Sequence, residues 1–355
     1  MNEIINILKE KKSIPLDHFI NIALYDKKFG FYMKNNPFGK KGDFITSPLV
    51  SKLFSEMIAV WCVAFWKHLG KPNKILLVEL GPGDGTLCKN LIKTFKHFKE
   101  FYNSLEINLL EISDLLKKIQ KTKINNKKVK WIRKIEEINY GPIIFFGNEF
   151  FDALPIKQIY KKKKNFFEKY VALTTNEKNI KFLHKRANNN LIKRIKSLNL
   201  LSGAGNTIEY PLEALKFLEQ ISRKINKFDG GLLTFDYGYT VKKNQNTLQA
   251  VKKHKYSDIF FKPGHSDITS HINFNLFDKS LSENNLDVKK ITGQSEFLKK
   301  IGILERADIL SKKMTFKEKA DMFYRLKRLL DPKEMGDLFK VIFAQKKGSG
   351  FSLGF

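Results

Sequence analysis

The chain has 355 residues, 42% of them apolar and 28% charged, which is enough for a buried core and too balanced for a disordered or fibrous protein. Two cysteines exclude a disulfide framework or a cysteine-rich metal cluster. The most apolar run, 57–66, is far short of the roughly 18 residues a membrane helix needs. The formal charge is +29, yet 58 of the 65 basic residues are Lys and seven are Arg, spread along the chain among abundant Asn and Ile; solvated faces and codon bias are the first reading, an anionic partner the second.

Residues 1–70 read as helices and loops preceding the first core strand. The opening stretch MNEIINILKEKKSIPLDHF has the pattern of neither a signal nor a transit peptide, and the expectation is a bacterial cytoplasmic protein. From residue 75 strands and helices alternate. ILLVEL (75–80) ends in a Gly-rich turn and a helix follows over 84–97. INLLEI (107–112), KVKWI (128–132) and PIIFFGNEF (142–150) are the next apolar runs, then LLTFDYG (232–238) and LFKVIFAQK (338–346). Apolar runs separated by helix-length segments predict βαβ units in a mostly parallel sheet. Residues 156–185 break the alternation and read as strands turning at 163–165 and 176–179, and a helix over 210–227 returns the chain to the sheet. The predicted organisation is α/β: an N-terminal helical extension (1–70) packing on a Rossmann-like core (71–152 and 229–347), a β-rich insertion (153–228) between the fourth and fifth core strands, and a disordered tail (348–355).

The main chemical signal is Glu79-Leu80-Gly81-Pro82-Gly83-Asp84-Gly85-Thr86 between the first strand and its helix. Gly81, Gly83 and Gly85 permit positive φ and close approach of backbone to ligand, and the helix start offers free N–H groups. The spacing G-x-G-x-G behind a strand glutamate departs from the dinucleotide pattern G-x-G-x-x-G. It suits the amino-acid end of S-adenosylmethionine (SAM), with Glu79 facing the cationic amine. Glu111 closes the second strand, where an acid can accept hydrogen bonds from both ribose hydroxyls. Glu136 and Glu137 follow the third strand, where adenine contacts are common, although adjacent loop glutamates are more often solvated.

Asn148-Glu149-Phe150-Phe151-Asp152 ends the fourth strand, on the side where open α/β sheets bind ligands. An amide, two carboxylates and two aromatics there suit a cation such as guanidinium, which a carboxylate binds through paired hydrogen bonds. A helix cap plus core phenylalanines is the structural alternative, for Asp152 above all.

At this point the sequence resembles the MidA-like family of SAM-dependent methyltransferases. The resemblance runs from about Leu16 to Gln345. It is carried in order by Gly30-Phe31-Tyr32, Gly42-Asp43-Phe44-Ile45-Thr46-Ser47-Pro48, Val78 to Leu87, Asn148 to Pro155, Asp236-Tyr237-Gly238-Tyr239, Thr247-Leu248-Gln249-Ala250 and Asp267-Ile268-Thr269-Ser270-His271-Ile272-Asn273-Phe274. Asp84, where the family often has a basic residue, and the segment 256–265 depart from the pattern. The resemblance implies transfer of the SAM methyl to a protein arginine, for the mitochondrial relatives on a peripheral-arm subunit of NADH:ubiquinone oxidoreductase (complex I). On this reading Glu149 holds and polarises the guanidinium, and Asp152 is the second candidate. His271 and Asp267 orient the substrate or take the proton away. Glu79, Gly81, Gly83, Gly85, Glu111 and Asn148 bind SAM. Thr46 and Ser47, with Pro48, close over the cofactor or cap the helix from Leu49. No metal is called for, and monomer and homodimer both stay open. A nucleic-acid methyltransferase is the main alternative, weakened because N-P-P-[FY] is absent after the fourth strand and two acids suit a polyanion poorly. A non-catalytic SAM-binding assembly factor and a nicotinamide dehydrogenase come after it.

Overall fold

The computed structural model describes residues 2–37, 47–176, 179–203, 205–241, 244–252 and 255–355. Its strands of three or more residues, in chain order, are β1 (Ser13–Pro15), β2 (Ile75–Leu80), β3 (Leu105–Leu110), β4 (Val129–Ile132), β5 (Ile143–Asn148), β6 (Lys157–Lys162), β7 (Asn165–Leu173), β8 (Ile180–Arg186), β9 (Thr207–Tyr210), β10 (Gly230–Tyr239), β11 (Gln249–Lys252), β12 (Lys255–Ser257), β13 (Asp267–Thr269), β14 (Leu286–Val288) and β15 (Phe339–Lys346). The helices used below are α1 (Lys52–His68), α2 (Thr86–Phe95), α3 (Asp114–Ile124) and α4 (Leu212–Phe228). Among the described residues no helix is long and apolar enough to cross a membrane.

Two compact units share the chain. The core unit holds Asn36–Phe150, Leu218–Tyr239 and Ile272–Phe355; the second unit holds Met1–Asn35, Phe151–Phe217 and Thr240–His271. The core sheet runs β14-β15-β10-β5-β2-β3-β4. Its pairs are parallel from β10 to β4, and β15 joins β10 antiparallel, Leu233 opposite Phe343. This is the Rossmann-like, mostly parallel sheet expected, and its strands begin or end within about two residues of the apolar runs. Every residue of β2 is buried, because a parallel strand is covered on both faces. Helix α1 lies on this sheet: Trp61 meets Phe343 edge-on at 5.0 Å and Phe54 meets Phe235 at 5.3 Å. Strand order reverses between β2 and β5, so the carboxyl ends of those two strands flank the switch point where such sheets bind ligands.

The second unit contains the antiparallel sheet β1-β7-β6-β9, with β8 on the other side of β7, and a small sheet β12-β11-β13. Lys157 on β6 lies between Asp17 at 3.0 Å and Glu168 at 2.6 Å, so this partly buried cation is compensated.

The expected boundaries need correction in four places. Residues 1–35 group with the β-rich insertion, whereas α1 belongs to the core. Residues 240–271 group with the insertion and not with the core, and residues 218–228 group with the core and not with the insertion. The tail 348–355, expected to be disordered, is packed: Phe351 is 8% exposed, Trp61 Nε1 donates to the Leu353 carbonyl at 3.0 Å, and Phe355 lies 5.2 Å from Phe297. Packing one buried and one partly buried aromatic against the core outweighs the freedom that its glycines would otherwise give it.

Candidate functional site

The core unit places the first group of residues around the end of β2. Glu79 is only 3% exposed, and its Oε2 has no hydrogen-bond partner. Burial first, and the charge of Asp84 second, push its pKa up to about 8. A buried carboxyl with a spare oxygen is costly by itself and well matched to a cationic, hydrogen-bonding ligand.

The turn that follows has Gly81 at φ +60°, Gly83 at +54° and Gly85 at +79°. At Gly81 a Cβ would lie 2.8 Å from the Phe150 ring, so both conformation and space demand glycine. Helix α2 starts after Gly85 with no side-chain cap from that residue; instead Asp84 Oδ1 accepts from the Thr86 N–H at 2.9 Å. The same Asp84 pairs with Lys123 of α3 at 2.5 Å, and Lys123 also donates to Thr86 Oγ1 at 3.0 Å. The acid in place of a basic residue is thus neutralised locally.

Glu111, 6% exposed, sits just after β3. Its Oε1 accepts from the Ser113 N–H at 2.7 Å and its Oε2 from Gln120 Nε2 at 3.0 Å. Burial raises its pKa and these hydrogen bonds oppose the rise. Each oxygen keeps a lone pair for a further donor. Gln120, fully buried on α3, is the residue that sequence reasoning missed. It also donates to the Gly83 carbonyl at 2.7 Å and accepts from Trp131 Nε1 at 2.8 Å. One amide therefore ties the glycine turn, the acid after β3 and strand β4 into one frame. Only its place on the buried face of α3 hinted at this. Glu136 and Glu137 are exposed and locally engaged: Glu137 accepts from the N–H groups of Arg133 and Lys134, and Glu136 from Gln220.

At the end of β5, Asn148 donates through Nδ2 to Glu149 Oε1 at 3.0 Å, while its Oδ1 is buried without a partner. Glu149 has φ +53°, and its N–H donates to the Phe235 carbonyl of β10 at 3.0 Å. A left-handed glutamate costs energy, and such strain concentrates at working positions. Ser47 is fully buried and gives its hydroxyl to Gln294 Oε1 at 3.2 Å, at the first residue of the short helix Ser47–Val50. That hydroxyl is engaged in core packing. Thr46 lies outside the described residues.

The remaining predicted residues belong to the second unit. Asp152 and Asp267 are 7% and 3% exposed. Tyr32, whose hydroxyl donates to Asp267 Oδ1 at 2.9 Å, stacks on Tyr25 at 5.7 Å. The Tyr25 hydroxyl donates to the Ala153 carbonyl at 2.9 Å, and the Ser270 N–H donates to the Asp152 carbonyl at 3.0 Å. Burial, then the charges of Asp267, Tyr25 and Asp152, holds the Tyr32 phenol well above its ordinary pKa. The phenol thus stays a proton donor beside acids. In the sequence Tyr32 stands out only as part of the Gly30-Phe31-Tyr32 signature. The backbone N–H of His271 donates to Thr247 Oγ1 at 2.9 Å, and burial lowers the pKa of its imidazole, which is neutral at pH 7.

These groups suit SAM: the unpartnered Glu79 oxygen meets a cationic amine, the glycine turn and the start of α2 admit a ligand against backbone, and Glu111 retains acceptors for hydroxyls. Among known proteins, residues 57–292 match the family described as "Putative S-adenosyl-L-methionine-dependent methyltransferase". Mitochondrial protein arginine methyltransferase NDUFAF7 of Xenopus laevis is 28% identical over 96% of this chain and 83% of its own length. Its homolog in Caenorhabditis elegans is 31% identical over 78% of this chain and 70% of that protein. A Burkholderia thailandensis structure bound to S-adenosyl-homocysteine superposes with a TM-score of 0.84 at 22% identity, covering 98% of this chain and 92% of that one.

Proposed function

The chain belongs to this family of S-adenosyl-L-methionine-dependent methyltransferases, and from that premise we propose that it methylates a nitrogen of a protein arginine. The protein uses SAM, and Glu79 is the observation that carries the fit: a buried carboxylate with one oxygen unpartnered, behind a turn of three left-handed glycines. We assign Glu79, Gly81, Gly83, Gly85, Glu111 and Asn148 to the cofactor. Bound SAM supplies a methyl group activated by its sulfonium.

The arginine reading is supported by the names of the relatives and by the carboxylates available. An arginine side chain in water keeps its proton, so the chain must orient the guanidinium and localise its charge away from the attacking nitrogen. Glu149 suits this role, because a strand end and the Phe235 carbonyl fix its backbone. Asp152 is the second carboxylate. When the N–C bond forms and the C–S bond breaks, the methylated guanidinium has one proton to shed. Asp267, bonded to Tyr32, and the neutral His271 are assigned to orientation and to that proton. The substrate to test first is a peripheral-arm subunit of NADH:ubiquinone oxidoreductase in a bacterial cytoplasm. Mass spectrometry of that enzyme's subunits, from cells with and without the gene, should show an arginine methylated only when the gene is present. Identical methylation in both would remove the arginine assignment.

A further inference from the structure

The positive charge is not evenly laid out. Between residues 157 and 196 there are thirteen basic side chains and two acidic ones, against 65 and 36 in the whole chain. Lys162, Lys163, Lys164, Lys181, Lys185, Arg186, Lys193, Arg194 and Lys196 are all exposed. Among the described residues, the acids of this stretch are no source of neutralisation, since Glu168 is taken by Lys157.

Within this segment β8 is an open edge. Among the described residues it pairs with β7 alone, from Phe167 opposite Arg186 to Leu173 opposite Ile180. At the two ends of the ladder, the Ala187 N–H donates to the Phe166 carbonyl and the Thr174 N–H to the Asn179 carbonyl. Antiparallel pairs alternate, so residues 181, 183 and 185 turn their backbone groups toward β7. The N–H and C=O groups of Ile180, Phe182, His184 and Arg186 then point outward. From Lys181 to Arg186 every side chain is exposed. An unpaired edge of this length invites pairing with another extended chain.

We propose that β8 docks an extended, acidic segment of the protein substrate by strand addition, its acids pairing with Lys181, Lys185 and Arg186. The proposal rests on the reading of a protein substrate, and not on arginine as the residue methylated. Two features select a peptide over single-stranded RNA. Backbone groups on an open edge match a β-strand, and RNA has no equivalent. The exposed rings of this segment are already engaged: Phe182 by Lys169 at 4.6 Å and by Phe260 at 4.6 Å, Tyr160 by His184 at 5.9 Å.

The probe is a fluorescein-labelled peptide of alternating Glu and Thr, without Arg or Lys, titrated by anisotropy into the full-length protein at about 150 mM salt. Because it cannot be methylated, its binding is read apart from the arginine assignment. Binding should protect the amides of β8 from hydrogen exchange. His184→Pro removes an outward N–H and no bond to β7, so affinity should fall tenfold or more at unchanged charge. Lys181→Glu with Lys185→Glu, two residues on one face of the strand, should lower it by a similar factor. Melting curves and SAM titrations identify folded variants, and the exchange experiment on wild type decides the matter if His184→Pro does not fold. The proposal is overturned by absent binding, by binding without protection of β8, by wild-type affinity in folded His184→Pro, or by polyuridylate binding more tightly than the peptide.

Discussion

Glu79 of the core unit and Glu209 of the second unit are both carboxyls whose pKa burial has raised, yet their surroundings differ. Glu209 has both oxygens engaged: Oε1 accepts from Gln158 at 2.8 Å and from the Thr247 N–H at 2.9 Å, and Oε2 from the Thr247 hydroxyl at 2.6 Å. Gln158 in turn bonds Asn246 and accepts from Lys169. Glu79 keeps Oε2 buried and unpartnered, and among the described residues the charge that shifts it is another acid, Asp84. A saturated carboxylate holds a structure together, whereas an unsaturated one awaits a ligand. Each substitution below sets one of these roles against the other.

The largest effect is expected where position matters to the reaction itself. Glu149→Gln should leave melting and SAM affinity near wild type and lower single-turnover methyl transfer by a hundredfold or more, within the ~10²–10⁴ of a positioned acid–base group. Asp152→Asn should cost less. Near-normal turnover by folded Glu149→Gln would take that residue out of the chemistry.

Glu79→Gln should weaken SAM binding by one to two orders of magnitude, the ~1.5–3 kcal/mol of a hydrogen bond to a charged group. The pH signature is the sharper readout. A carboxyl raised from its ordinary range to about 8 is mostly protonated at pH 7. The stability that proton brings to the free protein is present below the ordinary carboxylate range and is lost as pH rises through about 8. A cationic amine must displace the proton, so calorimetry in buffers of different ionisation enthalpy should show close to one proton released at pH 7. Wild-type affinity should rise from pH 6 to 7.5. In Glu79→Gln both the release and the rise should disappear; a persistent release would mean that another group titrates.

Glu209→Gln is the counterpart. A glutamine amide would turn N–H groups toward the donors of Gln158 or Thr247, at roughly 1–3 kcal/mol. Melting should drop by several degrees while SAM affinity stays within about twofold, because every partner of Glu209 given above lies in the second unit. A selective loss of SAM binding without loss of stability would reverse the roles assigned to the two acids.

The difference between the two units also decided what could be read in advance. The core announced itself locally: apolar runs with fixed ends, and a glycine turn whose positive φ angles only glycine adopts freely. Those signals need no knowledge of distant residues. Tyr32 and Asp267, 235 residues apart, meet only once the second unit has folded, and nothing in either local sequence names the other. Gln120 looked like any polar residue on a helix until α3 placed it against Gly83, Glu111 and Trp131. The tail misled for a related reason. Its glycines are a local signal of freedom, but Phe351 and Phe355 find a distant core that the signal does not report.

The smallest effect is expected at Lys123, and its sign is informative. Lys123 pairs with Asp84 while 29% of its side chain is exposed, against 11% for the acid. Lys123→Met keeps the aliphatic stem and removes the cation. A partly solvated pair of this kind is worth about 1 kcal/mol at most, and Asp84 retains the Thr86 N–H. Melting should therefore move by a few degrees or less. The unpaired Asp84 would hold the Glu79 proton more tightly, and at first sight that should weaken SAM binding. The same negative charge also attracts the incoming ammonium. Below the pKa of Glu79, binding exchanges one cation for another, and the two effects nearly cancel. Affinity at pH 7 should change by less than about twofold. Above the pKa no proton is displaced, only the attraction remains, and Lys123→Met should bind SAM more tightly than wild type by pH 9. SAM titrations from pH 6 to pH 9 test this. A tenfold loss at pH 7 would show that Lys123 holds the glycine turn in place, not merely its charge balance.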